Sequence, residues 1–168
     1  EGYVEPIFIY GNHDATLVTE QYWPEEWGTY QDAYVKQVNG YQFVAVHNAK
    51  EHTAGTLVSS AVDRTPDKPV FYIQHCPLTG TVFDFESEFF TTGKTVLNQL
   101  WDASNAIAFS GHVHIPSSDE RSIWQSNSKK AAQFTAVNCA TINYGWLLGD
   151  VGSYNVTGDS DETQQGMY

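Results

Sequence analysis

Three short stretches carry side chains suited to metal binding or proton transfer. Gly11-Asn12-His13-Asp14 releases an amide, an imidazole and a carboxylate in succession. His75 stands immediately before Cys76-Pro77, and Gly111-His112-Val113-His114 offers two imidazoles two residues apart. Neutral imidazoles and an amide oxygen suit Zn, Mn or Fe, and a carboxylate beside a histidine fixes its tautomer and raises its basicity. In an extended strand tip, residues two apart point the same way, so His112 and His114 are expected to converge on one site. Asn and Asp are also ordinary turn residues, so the first stretch taken by itself reads equally as a plain turn.

Each stretch follows a short apolar run. Residues 6–10, 69–75 and 106–110 are too short for helices and rich in aromatic and β-branched side chains, which predicts three buried strands ending in Gly11, His75 and Gly111. Between them, Trp23, Trp27, Tyr30 and Tyr34 recur at helical spacing behind Pro24, which predicts a helix over about 24–36 whose rings pack on the core. Asn39-Gly40 is a strong hairpin signal, with a strand over 41–46 as its second arm; its first arm reads as helix end or as strand. His47 and His52 fall in a polar stretch and read as surface histidines. Further helices are expected over about 54–62 and after Thr92, the latter burying Val96, Leu97, Leu100 and Trp101, with more strands near 122–125 and 133–138. In open α/β sheets the carboxyl ends of the strands face one crevice, so the three histidine-bearing tips are expected to meet.

Composition narrows the class. The 168 residues are 41% hydrophobic and 14% aromatic, enough for a real core in one domain or part of one. Twenty Asp and Glu against eight Lys and Arg give a net charge of −12, which repels polyphosphate backbones and makes nucleic acid an unlikely partner. Two cysteines match no disulfide framework or zinc-finger spacing, and no apolar run approaches a membrane span. Asp84, Glu86 and Glu88 read as a solvated acidic face, and Asn155-Val156-Thr157 fits a glycosylation acceptor. The acidity and the scarcity of lysine lean toward an extracytoplasmic or secreted protein.

The ordered set of GNHD turn, lone histidine after a strand, and GHxH resembles the calcineurin-like metallophosphoesterases over the span from Ile7 to His114. That resemblance implies an α/β (mixed α and β) fold, a four-layer α-β-β-α sandwich, present here as a partial domain spanning residues 1–168. It implies two divalent metal ions (Mn, Fe or Zn), with Asn12, His75 and His112 ligating one and His114 the other. His13 becomes the acid near the leaving-group oxygen and Asp14 its orienting partner. The implied activity is hydrolysis of a phosphate mono- or diester, with a small phosphoester as substrate.

The chain departs from the family in lacking the earlier D-x-H and GD-x-x-D motifs, since only five residues lie before Pro6. It therefore reads as the C-terminal part of the catalytic domain, weakly active or inactive alone, with one ion or none, its missing N-terminal part being its natural partner. The alternative is a noncatalytic metal-binding or protein-interaction module that retains half of the site. Amidohydrolases, which place a His-x-His pair on their first strand, and β-lactamase-like hydrolases, which need Asp-His soon after His114, fit poorly.

Overall fold

The Asn39-Gly40 pair sets the first feature of the computed structural model, which describes residues 6–11, 23–47, 51–82, 94–103, 105–114, 117, 119–125 and 134–139. Both turn residues take positive φ, 52° and 80°, the left-handed pair that a two-residue hairpin requires. The turn joins β1 (Ala33–Val38) to β2 (Tyr41–Val46) in a six-residue antiparallel ladder. That ladder overrides the helix expected over 24–36. Only a single 3-10 turn, Glu25–Trp27, forms there, and it ends at Gly28, whose φ is 85°.

From β2 the chain alternates helices and parallel strands. α1 (Glu51–Arg64) leads to β3 (Val70–Gln74), and α2 (Lys94–Asp102) leads to β4 (Ile107–Ser110). A 3-10 turn at Glu120–Ser122 precedes β5 (Ile123–Gln125), and β6 (Thr135–Asn138) follows. The six strands form one mixed α/β sheet in the order β1-β2-β3-β4-β6-β5, with β2, β3, β4 and β6 parallel and both outer strands antiparallel.

One face of the sheet carries the core. Val44, Val46, Tyr72, Ala108 and Ala136 meet Val58 and Ala61 of α1 and Val96 and Leu100 of α2. Full burial of each Val or Leu is worth about 1.5–3 kcal/mol, and this packing fixes the strands' register. The opposite face is apolar as well. Phe43, Phe71 and Phe109 stack across β2, β3 and β4 at 4.7 and 6.3 Å, and all three are only half-buried.

Residues 6–10, expected as a strand, belong to no ladder. They run alongside β1, on the face to which Tyr34 and Lys36 point, opposite Val35. Side chains take the place of strand partners. The Tyr34 hydroxyl accepts from Phe8 N–H at 3.1 Å and donates to Phe8 C=O at 2.7 Å, while Lys36 Nζ donates to Pro6 C=O at 2.8 Å. Leu97's side chain, Thr92, Asp84, Glu86, Glu88 and Asn155 lie outside the described residues.

Candidate metal centre

The parallel strands bring four chain exits to one edge of the sheet: His47 after β2, His75 after β3, Gly111 after β4 and Cys139 after β6. Backbone hydrogen bonds continue the sheet past the strand ends. Gly111 N–H donates to His75 C=O at 2.8 Å, and Cys139 N–H donates to Ser110 C=O at 2.7 Å. Beneath His75 the buried Tyr72 hydroxyl donates to Gln74 Oε1 at 2.7 Å, and the Gln74 amide donates to Cys76 C=O, which pins the backbone on both sides of the histidine.

His75 is the hub. Its Nε2 lies 3.2 Å from His112 Nδ1, with the two rings edge-on at 5.1 Å between centroids. Two nitrogens at 2.0–2.1 Å from a tetrahedral ion stand about 3.3 Å apart. The observed separation therefore accommodates a shared proton or a shared cation. On its other side His75 meets Gly11. A Cβ placed on Gly11 would fall 2.6–2.7 Å from three atoms of the imidazole, so only glycine lets the backbone come this close. Asn12 is the next residue in the chain.

The GHxH stretch is not an extended tip. Val113 N–H donates to Gly111 C=O at 2.8 Å across His112, whose φ is 69°, and His114 has φ 49°. This is a γ-turn of the strained hand, and each left-handed non-glycine residue costs on the order of 1–3 kcal/mol. The two histidines consequently do not follow the two-residue alternation expected of a strand. Among the described residues the donor group within one shell is His75, Cys76 and His112, whose ligand atoms lie within 4.8 Å of one another, and it does not include His114. Asn12, His13 and Asp14 lie outside the described residues, as does the side chain of His52.

Two residues at this edge escaped the sequence reading. Cys76 contributes a buried thiol to the donor group, and burial pushes that thiol up to about 12. A thiol held up in this way binds a cation only by releasing its proton to the solvent as the ion enters. His47, expected on the surface, is 1% exposed. Its ring lies nearly parallel to those of Tyr10 at 4.5 Å and Tyr30 at 5.4 Å, with Trp23 edge-on at 4.9 Å. Nδ1 accepts from Tyr10 N–H at 3.1 Å, which places the imidazole proton on Nε2. Among the described residues Nε2 has no hydrogen-bond partner, at a cost of about 1–3 kcal/mol. Burial lowers the pKa of His47, with the Asp32 carboxylate opposing. The continuous buried run Val44-Ala45-Val46 was the available signal, because it puts the next residue at the sheet's edge rather than in solvent.

The phenols nearby are neutral and locked. Burial raises Tyr30 well above the ordinary tyrosine value, reinforced by its hydrogen bonds with Tyr10 at 3.3 Å and Asp32 at 3.0 Å. Burial likewise raises Tyr34, with its hydrogen bond to Phe8 opposing. No family model, characterised protein or solved structure matches the chain.

Proposed function

We propose that the chain is the later part of a metal-dependent phosphoesterase. The observation that carries this reading is the position of His75, which touches Gly11 of the first motif on one side and His112 of the third on the other. Three sequence-distant stretches of matching chemistry then share one edge of the sheet.

In this reading Asn12, His75 and His112 hold one divalent ion (Zn, Mn or Fe), and His114 turns toward a second whose remaining ligands come from chain outside these 168 residues. Bound there, the ions supply charge that polarises a phosphoryl oxygen and lowers the pKa of attacking water. His13 protonates the leaving-group oxygen, a contribution of roughly 10²–10⁴ in rate. Asp14 holds the His13 imidazole in the donating tautomer. Backbone strain at His112 and His114 fits a site whose ligands are fixed before the ion arrives.

The finer architecture is a four-layer α-β-β-α sandwich. It is supported by the apolar face bearing Phe43, Phe71 and Phe109, and by residues 6–10 lying against the Tyr34 and Lys36 side of β1 without joining the ladder. Parallel strands are ordinarily covered on both faces. A small phosphate mono- or diester is the proposed substrate, a partial domain the proposed extent, and an extracytoplasmic compartment the proposed setting.

One observation favours the alternative, a noncatalytic metal-binding module. The shell among the described residues contains Cys76 and not His114, which suits a single ion. Metal analysis with mono- and diester assays on a longer protein carrying the upstream sequence separates the two. His112→Ala is expected to lose bound metal, and His13→Ala to keep metal while turnover of an aryl phosphate falls at least 100-fold. Equal metal loss in both variants overturns the role given to His13, and stoichiometric metal without hydrolysis in the longer protein establishes the noncatalytic module.

A further inference from the structure

We infer that His47 is a positioning residue: in its neutral Nε2–H form it clasps the Tyr10 backbone and thereby seats Gly11 against His75. Its bearing on catalysis depends on the function proposed above; the clasp itself does not.

Residues 6–10 join no strand ladder, and side-chain contacts hold them on the sheet. Lys36 and Tyr34 hold Pro6 and Phe8, Trp27 stacks on Phe8 at 4.6 Å, and the Tyr10 hydroxyl pairs with that of Tyr30 at 3.3 Å. The backbone contact from His47 is the one nearest the site. Tyr10 N–H donates to His47 Nδ1, and Gly11, one residue on, is pressed to within a missing Cβ of the His75 ring. His47 is itself held by its backbone N–H donating to Asp32 C=O at 3.0 Å and by the Tyr10 and Tyr30 rings, which lie nearly parallel to its own.

The unpartnered Nε2 identifies the contact that matters. Moving the proton to Nδ1 would set two N–H donors against each other at Tyr10, so the ring keeps its acceptor toward the backbone and leaves its donor unpaired. Protonation has the same effect as the wrong tautomer, since imidazolium has no acceptor. Among the described residues, the titratable groups facing His47 are Tyr10, Tyr30, Tyr34 and Asp32. Burial raises Tyr30 and Tyr34 above the ordinary tyrosine value, and the Asp32 carboxylate supplies the charge that favours the imidazolium. The clasp therefore opens on acidification, and the motif turn loosens from His75 while the sheet persists.

The test uses the metal-free chain, so that it does not depend on hydrolysis. Nitrogen chemical shifts of His47 at neutral pH are expected to show an unprotonated Nδ1 and a protonated Nε2. The hydrogen-exchange protection factor of the Tyr10 amide is expected to fall at least tenfold as His47 protonates. His47→Asn, which keeps an acceptor at the Nδ1 position and cannot titrate, is expected to hold that protection constant across the same range. His47→Phe, which keeps a stacking ring without an acceptor, is expected to lack it at every pH. A protonated Nδ1 at neutral pH overturns the inference, as does Tyr10 protection that ignores the His47 titration. The wild-type shifts decide the matter alone if the variants do not fold.

Discussion

His75 and Gly11 touch, yet they are held by opposite means. His75 directly follows β3, a strand paired on both sides through parallel ladders, and its backbone accepts from Gly111 N–H and is pinned by Gln74 and Tyr72. Gly11 ends a segment fastened by side chains, among them a tyrosine hydroxyl, a lysine amine, a histidine nitrogen and the Trp27 and Tyr30 rings. Ladder hydrogen bonds share the sheet's cooperativity, whereas separate side-chain hooks can fail one at a time. One half of the candidate site therefore has the stability of the whole fold, and the other half has its own, lower stability.

Four experiments probe that contrast, beginning with the largest effect. Leu100→Ala empties a fully buried position under the sheet and is expected to lower global stability by about 2–5 kcal/mol in denaturant unfolding. Gly11→Ala drives a methyl group into the His75 imidazole and is expected to weaken metal binding at least tenfold in a titration, with little change in unfolding midpoint. A midpoint falling as far as that of Leu100→Ala would show that the segment belongs to the same cooperative unit. Tyr34→Phe removes both hydrogen bonds to Phe8, each worth about 0.5–1.5 kcal/mol, and is expected to speed amide exchange at residues 8–10 while β3 and β4 keep their protection.

The smallest effect is on pH. Burial depresses the pKa of His47 in the folded chain, so the unfolded chain binds the proton more readily. The stabilisation is fully present above the unfolded value near 6.5 and is lost as pH falls from there through the folded value. Thermal midpoints are expected to decline below about pH 6.5, and His47→Asn is expected to remove that part of the decline.

The ladder-held half was largely legible in the sequence. Residues 41–46, 70–74 and 107–110 are apolar runs of strand length, Asn39-Gly40 announces its hairpin, and the order of the histidine-bearing tips follows from strand–helix alternation. The hook-held half was not. Trp23, Tyr30 and Tyr34 repeat at helical spacing, but what they share is His47, on which all three rings converge from a turn, a connecting stretch and a strand. Periodicity recorded a common target and was read as a common helix face. The run at 6–10 has a strand's composition, yet composition does not say whether a ladder partner lies alongside. Cys76 and the γ-turn at His112 were hidden for a different reason, because each depends on backbone direction over one or two residues just past a strand end.

The strand order also governs the timing of assembly. Among the described residues β5 pairs with β6 alone, and β6 fills the open side of β4, so that side waits for the latest of the described strands to be made. During synthesis the β4 edge and the His112 turn at its end stand bare until residues 135–138 emerge, roughly a second or more after β4 at ordinary elongation rates. A ribosome-bound chain ending before Phe134 therefore exposes an unpaired parallel edge beside the candidate site, and such an edge invites pairing with a neighbouring chain.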